Sequence, residues 1–233
     1  MQTNALFCGC KCTYLQIELE IFMKNISNNI LDYGNVLFDI DFPKLRQSFI
    51  DLGIPDVDTF YGHRAQHVLF DAFDKGIITA AQFRNELRNA AHNRELSDEA
   101  IDAAWNSLLI GVRPNHHELL LQLKGQYRTF LLSNNNEIHY QWIMDYLNRE
   151  FGINGNSAFF EKDYYSHLMR MRKPDDEIFQ FVLDTHGLNP AETLFVDDSP
   201  QHIETAKKLG IQAHLLAQSD TLPSLLARLG HTG

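Results

Sequence analysis

Apolar positions along this chain change their period twice. Residues 24–41 read as a short strand, a turn at Gly34-Asn35 and a second apolar run, "VLFDIDF". From Phe42 to about Val112 the spacing turns helical. In "FPKLRQSFIDLG", Leu45, Phe49 and Leu52 share one helical face, and Gly53 supplies a stop. "TAAQFRNELRNAAH" opens with Thr79 and carries Gln82 three residues on, the pattern of a capping box. "SDEAIDAAWNSLLIG" opens on Ser97, has two acids in its first turn and runs to Gly111. No strand pattern interrupts this block, which predicts a bundle of three or four helices.

From Arg113 helices and strands alternate. "RPNHHELLLQLKG" reads as a helix capped by Asn115, "YRTFLLSN" as a strand and "NEIHYQWIMDYLNREFG" as a helix. "DEIFQFVLDTHG" is a helix ending on Gly187, "AETLFVDD" a strand, "PQHIETAKKLG" a helix ending on Gly210 and "IQAHLL" a strand. Such alternation predicts right-handed crossovers and a parallel sheet with helices on both faces. The expected architecture is α/β, with a Rossmann-like parallel core over residues 23–41 and 113–233 and a helical insert over 42–112. Leu119, Leu120 and Leu123 form a core stripe. His116 and His117 are adjacent, point to different sides of a helix, and are expected to be solvated.

Composition narrows the function classes. The chain of 233 residues is long enough for one large domain or a core with an insert. Its formal charge of −10 argues against a general nucleic-acid binder. An anionic substrate stays open, because a local cation and a metal can outweigh a distant net charge. No apolar run reaches the roughly 20 residues that cross a bilayer. All three cysteines, Cys8, Cys10 and Cys12, lie in "CGCKC". That run has no evident fourth ligand and matches no familiar zinc spacing. The first 22 residues also lack the features of a signal peptide. They read as an extension the fold does not need, with Met23 as an alternative start. The rest of the chain has no cysteine and needs no oxidising compartment, so the cytoplasm is expected.

In a parallel sheet of this kind, ligands bind at the carboxyl ends of the strands. Those ends carry Asp32, Ser133-Asn134 and Asp197-Asp198, and Lys173 in "MRKPDD" lies between the last two. Carboxylates from two strands can hold a small hard cation such as Mg2+. A carboxylate can attack phosphorus and form an aspartyl-phosphate. A hydroxyl with neighbouring N–H groups can hold phosphate oxygens, and a lysine can neutralise the transferred group. Pro174 disfavours helical backbone at Lys173, which helps to aim the side chain. The nucleophile is open between Asp32 and Asp39, since "VLFDIDF" has the better apolar run and Asp39-x-Asp41 pairs two acids.

Four pieces in this order, "LDYGNV", "LLSNN", "MRKPD" and "FVDDS", resemble the haloacid dehalogenase superfamily. The helical block resembles its helical cap. "DYGNVLFDIDF" with "MRKPDDEIF" and "DDSPQHIETAKKLGI" is similar to the branch of small sugar-phosphate phosphatases that includes glucose-1-phosphate phosphatases. The resemblance covers nearly everything from Met23 on. It implies that Asp32 is the nucleophile and that "LFDIDF" is a hairpin leading into the cap. Asp39 and Asp41 are then solvated hairpin acids or contacts to the cap. It implies that Ser133, Asn134 and Lys173 hold the phosphoryl group, and that Asp32, the Gly34 carbonyl, Asp197 and Asp198 hold Mg2+. In the cap, "YGHRAQH" (Tyr61, His63, Arg64, His67) could face the substrate, with Arg64 holding a sugar or a second anion.

One departure stands out. Phosphatases of the superfamily usually carry a second aspartate two residues after the nucleophile, and here that residue is Gly34. Its absence removes a general acid worth about 10²–10⁴-fold in rate. A good leaving group, Asp39 or Asp41 could compensate, or turnover could be lost. The resemblance therefore implies a Mg2+-dependent phosphatase of small phosphorylated metabolites, acting as a monomer or homodimer without nucleic acid or membrane partners. Two rivals remain: a 2-haloacid dehalogenase, against which the Asp197-Asp198 pair speaks, and a phospho-ligand-binding protein that has lost turnover.

Overall fold

In the computed structural model, residues 26–54 and 68–231 are described. The cysteine-bearing extension and the Tyr61–His67 cluster with Arg64 lie outside the described residues. The strands are β1 (Asn28–Leu31), β2 (Phe38–Ile40), β3 (Leu109–Val112), β4 (Arg128–Ser133), β5 (Lys162–Tyr165), β6 (Thr193–Asp197) and β7 (Gln212–Leu215). Five of them form one parallel sheet in the order β5-β4-β1-β6-β7. Successive side chains on a strand point to opposite faces. Ile30, Phe130, Leu132 and Phe195 accordingly pack on one face, and Leu31, Leu131, Leu194 and Val196 on the other. Both faces are buried, and the inner strands β4 and β6 accordingly contain near-continuous apolar runs, whereas β1, β5 and β7 each carry two polar residues.

Helices α1 (Phe42–Asp51), α2 (Val68–Asp74), α3 (Ala80–Ala90) and α4 (Asp98–Asn106) follow the β1–β2 segment. The others are α5 (His116–Gln126), α6 (Glu137–Phe151), α7 (Ser166–Met169), α8 (Asp176–His186), α9 (Pro200–Lys208) and α10 (Leu222–Arg228). α5, α6 and α10 cover one face of the sheet; α8 and α9 cover the other. α1 to α4 have a core of their own, in which Phe49, Phe70, Phe73, Phe83 and Trp105 meet Ile138 of α6. Thr79 and Gln82 make the expected capping box.

The structure corrects the sequence reading in four places. The helix that starts at Asp98 ends at Asn106, and Leu109–Val112 is a strand paired antiparallel with β2. A four-residue strand directly after a helix leaves too short a pattern to register. Gly111 is therefore not a helix stop: a Cβ there would run into the Tyr146 hydroxyl, which accepts from the Val112 N–H at 3.2 Å. β5 and α10 were also not anticipated; "KDYY" is half polar and too short to show a period. Asn115 does not cap α5 with its side chain. It sits in the left-handed region at φ 62°, which asparagine tolerates better than most residues. His116 is not solvated, and His117 is half-buried. His116 is buried with Nδ1 2.9 Å from the Pro114 carbonyl, and His117 stacks on Phe159 at 4.3 Å. Leu120 and Leu123 are core residues as expected.

His139 of α6 joins the helical block to the sheet. Its ring stacks on Trp105 at 4.6 Å, its Nε2 lies 3.0 Å from the Trp105 carbonyl, and its Nδ1 lies 3.3 Å from Asn136 Nδ2. A neutral ring satisfies both contacts; a protonated one would set an N–H against an amide N–H. Burial pushes its pKa from 6.5 down to about 4. The unfolded chain then binds more protons below pH 6.5, so stability is full above that pH and is lost as pH falls towards 4. The effect is at most about 3 kcal/mol. Thermal unfolding should show the gap between wild type and His139→Gln narrowing from pH 7.5 to pH 4.5. A constant gap would contradict a neutral buried ring.

Candidate active site

The site lies where the sheet reverses its winding. β1 leads to β4 on one side, while β6 leads to β7 on the other, and such a switch point leaves a crevice at the strand ends. Asp32 follows β1 and Asp197 ends β6. Lys173 enters from the turn after α7 and places its Nζ 2.5 Å from Asp32 Oδ1 and 2.6 Å from Asp197 Oδ2. Its side chain is fully enclosed. An unpaired ammonium could not be held there, whereas one bridged by two carboxylates can. Asp198 completes the group: one carboxylate oxygen from each of Asp32, Asp197 and Asp198 lies within 4.8 Å of the others.

The electrostatics of this cluster are unbalanced. Burial pushes the Asp32 carboxyl up to about 8, against the pull of Lys173 and with added repulsion from Asp197 and Asp198. Burial also lifts Asp197, but Lys173 and His202 outweigh it and hold that carboxyl well below the usual range. Asp198 is raised by burial against its hydrogen bond from Asn35. Burial opposes the charge on Lys173, yet the two aspartates more than offset it and keep the ammonium. Three carboxylates thus converge on a single ammonium. A hard dication with oxygen ligands fits this donor set and would supply the missing positive charge.

Local folding aims these groups. After Asp32, the Tyr33 carbonyl accepts from the N–H groups of Val36, Leu37 and Phe38 at 3.3, 2.8 and 2.9 Å, which curls the chain tightly. Asn35 takes the left-handed conformation at φ 55° and donates from Nδ2 to Asp198 Oδ2 at 2.8 Å. Gly34 does not need a left-handed backbone, and a Cβ there would meet only Ile40 Cδ1, at 3.4 Å. The backbone would therefore accept a side chain at this position.

The other expected residues are placed as follows. Ser133, at the end of β4, is buried and has its hydroxyl 3.4 Å from the Asn134 carbonyl. Asn134 grips Lys173 at both ends of its amide: Nδ2 donates to the Lys173 carbonyl at 2.8 Å, and Oδ1 accepts from the Lys173 N–H at 2.9 Å. Asp39 is paired with Arg113 at 2.6 Å and Asp41 caps α1 by accepting from the Lys44 N–H at 2.9 Å. Asp41 thus contacts the helical block, one of the two expectations for this pair, while Asp39 is a part-exposed acid held by an arginine. Both line a cavity of about 410 Å³ that also reaches Asn35 and Asp198.

Two contributors had escaped the sequence reading. Asn35 holds Asp198, and His202 places Nδ1 2.9 Å from Asp197 Oδ1. Asn136 caps α6 and bridges to the helical block through Trp105 Nε1 at 3.1 Å. A weak signal existed for His202 alone, which lies in the first turn of the helix that follows the aspartate pair.

Comparison with known proteins gives consistent relatives. A family model described as haloacid dehalogenase-like hydrolase matches residues 30–210. A D-ribitol-5-phosphate phosphatase from Bacteroides thetaiotaomicron is 34% identical over 189 residues, covering 80% of this chain and 90% of that protein. A variant of a haloacid dehalogenase family enzyme from the same organism, solved with magnesium and inorganic phosphate, superposes with a TM-score of 0.81 at 33% identity, covering 86% of this chain and 98% of the other. A HAD-like hydrolase structure from Porphyromonas gingivalis gives a TM-score of 0.80 at 27% identity, covering 90% of this chain and all of the other.

Proposed function

We propose that this chain, which belongs to the haloacid dehalogenase-like hydrolase family, is a Mg2+-dependent phosphatase that hydrolyses phosphate monoesters of small polyols and sugars through an aspartyl-phosphate on Asp32. The observation that carries this reading is the buried Lys173 ammonium bridging Asp32 and Asp197, with Asp198 beside them.

Asp32, Asp197, Asp198 and the Gly34 carbonyl would hold Mg2+, which when bound neutralises phosphoryl oxygens and keeps the Asp32 carboxylate ionised. Asp32 Oδ attacks phosphorus, and the ester oxygen leaves. Lys173 and the Ser133 hydroxyl hold the phosphoryl oxygens, together with the Asn134 N–H, since the Asn134 side chain is occupied by the Lys173 backbone. Asn35 engages Asp198 Oδ2 and would leave the other carboxylate oxygen for the metal. Water then cleaves the acyl phosphate and frees Asp32. With Gly34 in place of the usual second aspartate, the leaving-group proton comes from outside that position. Asp39 and Asp41 line the adjoining cavity but are engaged with Arg113 and α1. The helices α1 to α4 act as the cap over the site.

The polyol preference is supported by the similarity to the D-ribitol-5-phosphate phosphatase. The test is phosphate release from D-ribitol 5-phosphate, glucose 1-phosphate, flavin mononucleotide and an aryl phosphate, with Mg2+ and with EDTA. Mg2+-dependent release, fastest on a polyol or sugar phosphate, is expected. No release from any ester by folded protein with Mg2+, or halide release from a 2-haloacid, would overturn the reading.

A further inference from the structure

We propose that docking of the helical cap sets the position of Lys173, and that Arg172 and Asp175 are the positioning residues that carry this coupling. The inference rests on the reading of Lys173 as a catalytic residue. Arg172 and Asp175 bracket Lys173-Pro174, and the Asp175 N–H donates to the Arg172 carbonyl at 3.0 Å to close the turn. Both side chains leave the core and reach helix α2 and the turn after it. Arg172 Nη1 lies 2.7 Å from Asp71 Oδ1, and Nη2 lies 3.7 Å from Asp74 Oδ2. Its Nε is buried without a partner, so the polar contacts of this guanidinium among the described residues come from the cap side. Asp175 stands at the N-cap position of α8 yet makes no capping bond. Its carboxylate instead lies 2.9 Å from Lys75 Nζ, which is 3.5 Å from Asp71 as well.

The charges are complementary across the boundary. Acids of α2 face the arginine of the core, and the lysine after α2 faces the acid of the core. The turn that carries Lys173 is therefore gripped on both flanks by the same cap segment. Asp74 extends the grip to the neighbouring loop. Its Oδ1 accepts from Asn136 Nδ2 at 3.2 Å and its carbonyl from the Ser166 hydroxyl at 2.6 Å. That loop also contains Asn134, which clamps the Lys173 backbone. Gly76 lets the segment lie this close: its backbone is left-handed at φ 63°, and a Cβ would overlap the His167 carbonyl.

A cap that lifts would take away the partners of Arg172 and Asp175 and free the turn between them. Phosphoryl transfer depends on placement of charge, and a displacement of about 1 Å can cost about 10²-fold in rate. With the cap down, Lys173 is fixed between Asp32 and Asp197; with the cap up, its turn has lost its two flanking ties. The arrangement links site closure to a competent ammonium.

The test compares Lys75→Asp, Asp175→Lys and the double swap, assayed on an aryl phosphate with saturating Mg2+ and followed by thermal unfolding. Each single change should lower kcat about tenfold, shift the unfolding midpoint by a few degrees at most, and be largely rescued by the swap. Arg172→Met and Asp71→Asn should each lower kcat, and their combination should be no worse than Arg172→Met alone. Single variants that lose thermal stability but keep wild-type kcat would overturn the proposal, as would a swap no better than the singles. Lys173→Met separates the two levels. If that variant is inactive while the singles turn over normally, only the coupling fails; if it retains turnover, the catalytic reading of Lys173 fails and the coupling with it.

Discussion

Asp32→Asn should abolish phosphate release, by about 10⁴-fold or more, as expected when a covalent nucleophile is removed. The amide is nearly isosteric and can still accept a hydrogen bond from Lys173, so the variant should fold. It has no lone pair basic enough to attack phosphorus and cannot form an acyl phosphate. Asp39→Asn is the matched control. Asp39 is tied to Arg113, 2.6 Å away, and belongs to the two-stranded antiparallel ribbon β2-β3 rather than to the central sheet. Its loss should lower turnover by less than about tenfold, below the cost of removing a general acid. Steady-state phosphate release from both variants, with circular dichroism to establish folding, decides the matter. Full turnover in Asp32→Asn with loss in Asp39→Asn would move the nucleophile to β2.

Lys173→Met should inactivate the enzyme and destabilise the metal-free protein. Removing one partner of a buried ion pair typically costs about 3–5 kcal/mol, because the remaining charge is left uncompensated. Here two carboxylates remain face to face, Asp197 wholly enclosed and Asp32 nearly so. Protonation offers partial relief, since burial already pushes the Asp32 carboxyl up to about 8 even with Lys173 present. The sign of the pH dependence follows. The folded variant retains a proton near neutral pH that the unfolded chain has released, so its stability is greater at low pH and is lost as pH rises. Urea unfolding in EDTA should therefore show a larger deficit at pH 8.5 than at pH 6. Adding Mg2+ should recover part of the loss, because it binds only the folded state, without restoring turnover. A variant as stable as wild type in EDTA at both pH values would mean that Lys173 does not compensate these carboxylates.

The relation between sequence and site can be traced residue by residue. Strand-end positions of Ser133 and Asp197 were legible, because each follows an apolar run of strand length, whereas Asp32 follows only Ile30-Leu31 and the run before Asp39 was the better one. The helical block and its caps at Thr79 and Ser97 were legible for the same reason of local period. β3 was not, since "LIGV" merges with the preceding helix and its partner β2 lies some seventy residues earlier. Nor was the role of Asn134. Its amide could have faced a phosphate, but it grips the Lys173 backbone across a separation of 39 residues. Asp39 and Asp41 looked alike in the sequence, and only their neighbours tell them apart: an arginine 74 residues away for one, the first turn of α1 for the other.

By itself, then, the sequence determined the kinds and order of the elements other than β3, β5 and α10, and the strand ends at which carboxylates, a hydroxyl and an amide would appear. These follow from periodicity, capping and turn chemistry, which act over a few residues. Tertiary structure alone decided which of these groups meet. The β5-β4-β1-β6-β7 order sets Asp32 beside Asp197, the turn after α7 delivers Lys173 between them, and α2 holds that turn from above. Each of these meetings joins residues far apart along the chain, and local pattern carries no information about which distant partner closes the contact.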